Sequence, residues 1–482
     1  MFVSTADFGP FDYLRVPYRT VVPPGPREPF GTLRPSHLPS SAPALYWARD
    51  LGRRDHLVHH GRFEVAGCHL AGRLSTGVPP GAVPPAVEWH PAEAVHDPAG
   101  RRVAHVWTTE RGDVYLPFDP GEVMACLWSE RYRTLGPGAR TRTAARQAAV
   151  RAYYAARPAL PRAAQLRLRR RFARTDAGPD FPAWPLENGL HEMYSWVLRL
   201  AASVAEGPVP FIAPWPDGAT WCLVLTHDVE TAQGCADIEL LREPERRAGY
   251  RSSWNFVPHR YPTPQRTLDE LAAEGCEIGV HGLEHDGRDL ASARLLHKRL
   301  SAIRGAAAAW GATGFRSPAT QRRWSLMPLL GFDYDSSYTD TDPYEPQPGG
   351  CCSYLPFFID DLVELPITLP QDHTLFSILG HTDASLWISK AQELRRRGGL
   401  VLALSHPDYA HGPALRSWVE LLEEFRHDDT KWQPLPREAA AWWRDRAASR
   451  VVGGESGWRI EGPAAARGRV VEVAGAEREG AR

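Results

Sequence analysis

Apolar residues recur in two different rhythms along this chain. Between Tyr46 and Leu135, short apolar runs such as FEVAGCHLAG, RRVAHVWTTE and DVYLPFDP are separated by Gly/Pro clusters. Val103, His105 and Trp107 alternate with their neighbours, the period of a strand. This stretch predicts a small β-rich or α+β module. The proline-rich residues before it, 1–45, with VVPPGPREPFG and RPSHLPSSAP, predict an irregular lead-in. From Ala144 to Arg174 the text turns helical, rich in Ala, Leu and Arg, and Pro158 and Pro161 split it in two. Its run Arg167, Arg169, Arg170, Arg171 and Arg174 is expected to be a solvated helix face. The helical stretch LENGLHEMYSWVLRLAASVA then leads to the turn Trp215-Pro216-Asp217-Gly218.

After that turn, short apolar runs alternate with amphipathic segments. Cys222-Leu223-Val224-Leu225, Ser253-Trp254-Asn255-Phe256-Val257, Glu277-Ile278-Gly279-Val280, LVELPI and LVLALSH read as strands. Leu240–Ala248, TLDELAAEG and ASARLLHKRLSAIRGAAAAWG read as helices between them. Strand and helix in alternation predict a parallel sheet or barrel. The expected division is therefore an accessory module over 1–140, a helical connector over 141–214, an α/β domain over 215–445, and a flexible tail or small hairpin over 446–482. In that tail WRIEG and GRVVEVAG are the expected hairpin arms.

Bulk properties narrow the function classes. At 482 residues the chain is too long for one ordinary core. Its 43% hydrophobic and 23% charged residues are typical of globular proteins. A formal net charge of -1 gives no general attraction to nucleic acid or anionic membrane. The seven cysteines are scattered, without a CxxC pair, which fits reduced thiols. The N-terminal MFVSTADFGPFDYLRVPYRT lacks a basic patch followed by an apolar run, and no stretch has the roughly 18 to 20 apolar residues of a membrane span. The expectation is a cytoplasmic location. The 17 tryptophans fit sugar stacking, but tryptophan more often packs in cores.

Four apolar runs stop at ionisable or polar groups: LVL at Thr226-His227-Asp228-Val229-Glu230, IGV at His281-Gly282-Leu283-Glu284-His285-Asp286, the run through Gly314-Phe315 at Arg316-Ser317-Pro318, and LVLAL at Ser405-His406-Pro407-Asp408. In parallel α/β folds the C-terminal strand ends open onto one face, so these groups are expected to converge. His281 and His285, four apart, can flank one cation; a carboxylate from another strand end completes two histidines and an acid with a position open for water. A second carboxylate then serves as general base and His406 as general acid.

In this order and spacing, the residues resemble the polysaccharide deacetylase family, the chitooligosaccharide-deacetylase type of carbohydrate esterase. The family's strand ending in one or two aspartates is matched by Leu225-Thr226-His227-Asp228-Val229-Glu230, and its H-x3-H by His281 to His285. Its R-x-P motif, usually followed by tyrosine, is matched by Arg316-Ser317-Pro318-Ala319, and its late histidine by His406 in LALSHPDY. The stretches GFDYDSSYTDTDPYEPQPGG and VELPITLPQDHTLF resemble a bacterial branch of that family, and GDVYLPFDPGEVMACLWSERY is similar to modules that precede such domains. The resemblance implies an irregular (β/α) barrel and one divalent metal, zinc in most members. The implied reaction is removal of acetyl groups from an N-acetylated or O-acetylated saccharide. Carried over by residue, Asp228 is the general base, Glu230, His281 and His285 are metal ligands, and His406 protonates the leaving amine. Arg316 holds the base, and the backbone N–H of Ala319 assists the oxyanion. Two departures stand out. Val229 follows Asp228, so the second carboxylate is Glu230, longer by one C–C bond of roughly 1.5 Å, and Asp228 is an alternative ligand. Ala319 replaces the family's tyrosine. The residue orienting His406 is open among Asp335, Asp340 and Asp342. A hydrolase of another amide, or a non-catalytic glycan-binding protein, are the alternative functions.

Overall fold

Nine consecutive buried residues, Trp221–Val229, form the strand around which the second half of the chain is organised. A strand buried on both faces is what a parallel sheet covered by helices requires. The computed structural model describes residues 1–22, 28–39, 41–49, 58–79, 88–136, 181–454 and 457–475, with isolated positions between 138 and 170. Nearly all of the helical stretch predicted over Ala144–Arg174 lies outside the described residues. The chain forms two compact units: Met1–Gln147 with Asn188–Ala213 and Asp445–Arg482, and Ala148–Glu187 with Pro214–Arg444.

The second unit carries nine strands in one sheet: β1 (Trp221–Val229), β2 (Ser253–Phe256), β3 (Glu277–Val280), β4 (Gly314–Phe315), β5 (Tyr334–Asp335), β6 (Phe357–Ile359), β7 (Leu362–Glu364), β8 (Leu400–Ser405) and β9 (Lys431–Trp432). Their spatial order is β6-β7-β5-β4-β3-β2-β1-β8, with β9 beside the start of β1. All pairings are parallel except β6 with β7. Helices between strands bury one stripe each; Ala293–Trp310 turns Leu296, Arg299, Ile303 and Ala307 inward, at helical spacing.

The sheet closes irregularly. Beyond β7, Ile367 N–H donates to Tyr338 C=O at 2.8 Å, and the N–H groups of Thr368 and Leu369 both donate to Leu402 C=O on β8 at 3.2 Å. Thr368 reinforces the join with its side chain: Oγ1 donates to Leu400 C=O at 2.9 Å and accepts from Leu402 N–H at 2.8 Å. One wholly buried threonine thus bridges the two edges where a regular ladder is missing. The result is an irregular (β/α) barrel.

The first unit is built on a nine-stranded mixed sheet, which includes Phe2–Ser4, Tyr18–Thr20 and Phe30–Pro35. The expected irregular lead-in therefore contains three strands and a short helix among its described residues. Two of its prolines sit at element ends, Pro10 in the first turn of the helix Gly9–Leu14 and Pro35 at the end of a strand, where a missing N–H costs little. In the strand Arg102–Thr108 the buried positions are Ala104 and Val106, while Val103, His105 and Trp107 lie on the half-buried face. The connector and tail boundaries also differ. The helix Gly189–Ala205 buries Leu190, Met193, Val197, Leu198 and Ala201 in this unit, and its start approaches a strand so closely that a Cβ on Gly189 would lie 2.0 Å from the His69 carbonyl oxygen. Val209–Ile212 pairs antiparallel with Val470–Val473, and Gly457–Glu461 pairs with Arg450–Gly454. The two arms expected to form one hairpin thus belong to two separate pairings.

Candidate metal centre

Side chains alternate across a strand, so Thr226, Asp228 and Glu230, at i, i+2 and i+4, share one side of β1 and its C-terminal end. The intervening His227 takes the other side. It stacks on Trp254 with ring centroids 4.1 Å apart, approaches Ser405 Oγ through Nδ1 at 2.9 Å, and faces Glu245 Oε1 through Nε2 at 2.7 Å. Parity explains why the second carboxylate stands at 230: a carboxylate at 229 would point with His227.

Glu230, His281 and His285 meet. Each presents a ligand atom, and the three lie within 4.8 Å of one another; no other trio of His, Cys, Asp or Glu does so among the described residues. His285 Nε2 is 2.9 Å from Glu230 Oε1. Donors about 2.0–2.1 Å from a tetrahedral ion would be roughly 3.3 Å apart, so a modest adjustment fits the trio around one cation. The tautomer of His281 is fixed by a neighbour. Its Nδ1 lies 3.1 Å from the Arg316 carbonyl oxygen, which can only accept, so Nδ1 carries the proton and Nε2 offers a lone pair. That Nε2 is buried with no hydrogen-bond partner among the described residues. Burial holds the His281 imidazole down at about 4, against the pull of Asp228, so the ring is neutral and able to ligate at neutral pH. For Glu230, burial works to raise the carboxyl, but His285, His406 and His281 outweigh it and leave it well below the usual range.

The loop bearing the histidines is not helical. Gly282 and His285 both have left-handed backbones, at φ 64° and 54°. A Cβ at Gly282 would lie 2.5 Å from Asp289 Oδ2 and 2.6 Å from Pro318 Cδ, so glycine is required where this loop meets the R-x-P turn. Arg299 gathers the loop by its acids, bonding Glu284 and Asp286 at 2.7 Å and Asp289 at 2.6 Å.

Asp228 stands beside the trio, not in it. Its Oδ1 accepts from Asn255 Nδ2 at 2.9 Å and, more distantly, from Arg316 Nη1 at 3.4 Å; its Oδ2 is 3.7 Å from His281 Nδ1. Burial raises its carboxyl, yet His281, Arg316 and His406 together bring it below the ordinary value. Arg316 is itself buried and held mainly by others: Ser336 C=O and Oγ, each at 2.7 Å, and Thr226 Oγ1 at 2.8 Å. Ala319 lies half-buried in the short turn Pro318–Thr320 with a left-handed backbone, φ 54°.

His406 follows β8, and its partner is Asp372. His406 Nδ1 is 2.6 Å from Asp372 Oδ1, and its backbone N–H donates to Oδ2 at 2.8 Å. Burial lowers the imidazole, but the Asp372 carboxylate prevails and raises it to about 10, leaving a proton on Nε2, 3.8 Å from Glu230 Oε1. None of the three aspartates expected for this role takes it. Asp335 accepts from Ser337, Asp340 pairs with Lys390 at 2.7 Å, and Asp342 accepts from Tyr344 N–H. Asn255 was also not anticipated; it is the register partner of Asp228 on β2, and Gly279 leaves room for its amide. Among the remaining histidines, His373 packs on Tyr409 at 4.6 Å near the site, while His259, His297 and His411 are exposed.

No family model matches the sequence. No curated protein matches it either. Among solved structures, the chain is similar to a Mycobacterium smegmatis protein described as a polysaccharide deacetylase, at 21% identity over 48% of this chain and 93% of that one, TM-score 0.40. It is also similar to one from Pseudomonas aeruginosa PAO1 with the same description, at 16% identity over 50% and 96%, TM-score 0.38. A third is Puue allantoinase, at 16% identity over 48% and 92%, TM-score 0.37. Among the described residues no helix is long and apolar enough to cross a membrane.

Proposed function

We propose that the second unit is a metal-dependent hydrolase that removes acetyl groups from an N-acetylated or O-acetylated saccharide, with zinc at Glu230, His281 and His285. The reading is carried by one observation: two imidazoles and a carboxylate converge next to a buried, protonated His406–Asp372 pair. A divalent cation held there supplies Lewis acidity and lowers the pKa of a water to about 7. Asp228, kept ionised by its neighbours, accepts a proton as the water oxygen adds to the acyl carbon. His406 Nε2 gives its proton to the departing nitrogen or oxygen as that bond breaks, so acetate and the free amine or hydroxyl are the products. Arg316 and Asn255 keep Asp228 oriented, and the turn at Ala319 supplies a backbone N–H to the developing oxyanion. The nearness of a candidate base and a candidate acid to the trio, Asp228 at 3.7 Å from His281 and His406 at 3.8 Å from Glu230, favours hydrolysis over mere binding, because a binding site has no use for proton-transfer groups.

The test is acetate release by zinc-loaded and EDTA-treated protein from N-acetylglucosamine oligomers, acetylated nucleotide sugars, and small linear and cyclic amides. Zinc-dependent release from acetylated sugars is expected. Hydrolysis confined to the small amides would move the substrate class, and a zinc-loaded protein inert on all of them would remove the enzymatic reading.

A further inference from the structure

Glutamate is a demanding choice of ligand. It has one more side-chain torsion than aspartate, so ordering it loses more rotamer entropy. Something must hold Glu230 in place, and its surroundings show how. From the turn after β8, Asp408 Oδ2 accepts the Glu230 backbone N–H at 3.0 Å, while Asp408 Oδ1 accepts from the Thr231 hydroxyl. A Cβ at position 234 would lie 2.1 Å from Asp408 Oδ2, so Gly234 makes room for this carboxylate. The next residue in the turn, Tyr409, directs its phenol at Glu230 Oε2 at 3.5 Å. Its ring is packed against His373, at 4.6 Å, and His406, at 5.4 Å. The two oxygens of Glu230 therefore have different neighbours: Oε1 faces His285 and His406, and Oε2 faces Tyr409.

We propose that Tyr409 is a positioning residue: its phenol, 3.5 Å from Glu230 Oε2, would engage that outer oxygen and leave Oε1 as the one oxygen that would hold a cation beside His281 and His285. This rests on the metal-site reading above. A one-oxygen carboxylate leaves more of the coordination sphere open to water and to the acyl oxygen than a two-oxygen one. It also ties the ligand to the general acid, since His406 and Tyr409 belong to one short turn. The extra length of glutamate is thus taken up by a phenol donor three residues after His406.

The experiment is a double-mutant cycle on the full chain, with zinc affinity read by competition against a chromophoric chelator: wild type, Tyr409→Phe, Glu230→Asp and the double variant. Outer partners of metal ligands typically contribute 10–100-fold in affinity, so Tyr409→Phe is expected to weaken zinc binding about ten-fold. In the Glu230→Asp background the shortened carboxylate no longer reaches the phenol, so the same change is expected to have almost no effect. Melting of the zinc-free proteins reports whether Tyr409→Phe has altered the fold instead. Equal weakening in both backgrounds, or Tyr409→Phe binding zinc as tightly as wild type, overturns the proposal. A wild-type chain that takes up no zinc removes the proposed function as well; zinc uptake with an additive cycle removes only the role of Tyr409.

Discussion

Asp372→Asn removes one negative charge with almost no change in volume, and the amide oxygen can still accept the His406 backbone N–H. What is lost is the carboxylate 2.6 Å from His406 Nδ1. With that imidazole raised to about 10, its protonated form outnumbers the neutral one by about 300 to 1 at pH 7.5. Burial acts in the opposite direction, and only Glu230 and Asp228 remain to oppose it, so without the Asp372 carboxylate the ring is expected to titrate well below 10. A ring returned to the ordinary histidine value of about 6.5 would carry the proton in about one molecule in ten at pH 7.5, and losing a general acid altogether lowers rates by roughly 10²–10⁴. Two measurements check this: NMR titration of the histidine side chains in zinc-free protein, and the pH dependence of kcat/KM for zinc-loaded enzyme. The His406 titration and the alkaline limb should both move to lower pH in the variant. A variant whose limb stays in place and whose rate at pH 7.5 is within about two-fold of wild type would refute the assignment of His406 as the acid.

Other perturbations separate the remaining roles. His281→Ala should leave the protein without bound zinc by elemental analysis, whereas Asp228→Asn should retain zinc and lose about 10²–10⁴ in rate. Thr368→Val removes the acceptor of Leu402 N–H and the donor to Leu400 C=O. Its unfolding free energy in urea should fall by about 1–3 kcal/mol, and an unchanged midpoint would mean the edge bridge carries no load. Zinc-free protein should be most stable near pH 6.5 as far as two histidines decide it. His406, raised on folding, contributes fully below about pH 6.5 and loses that contribution as pH climbs toward 10. His281, depressed on folding, contributes fully above about pH 6.5 and loses it as pH falls toward 4. Urea midpoints that are flat from acid to alkaline pH would contradict both.

The barrel was legible because β1 and β8 are buried on both faces, begin as apolar runs, Trp221–Leu225 and Leu400–Leu404, and then meet polar and ionisable residues. Glu230 was reached through the resemblance, with Asp228 left as an alternative ligand; strand parity puts both on one side and cannot choose between them. Asn255 could not be reached, since it faces Asp228 only through the β1–β2 register, and nothing in one sequence sets that register. Asp372 was hidden for a different reason. It follows the join beyond β7, a stretch without strand or helix periodicity, so the aspartates of the preceding loop looked equally suitable. The first unit was obscured by distance: Val209 and Val473 are register partners, and no local pattern announces a pairing across so long a separation.

The join between β7 and β8 has a further consequence. Asp372 belongs to the strip of chain on one side of it and His406 to the turn that follows β8 on the other, so their bond is a clasp across the line where a regular ladder is missing. Any breathing that parts the rim there stretches the clasp too.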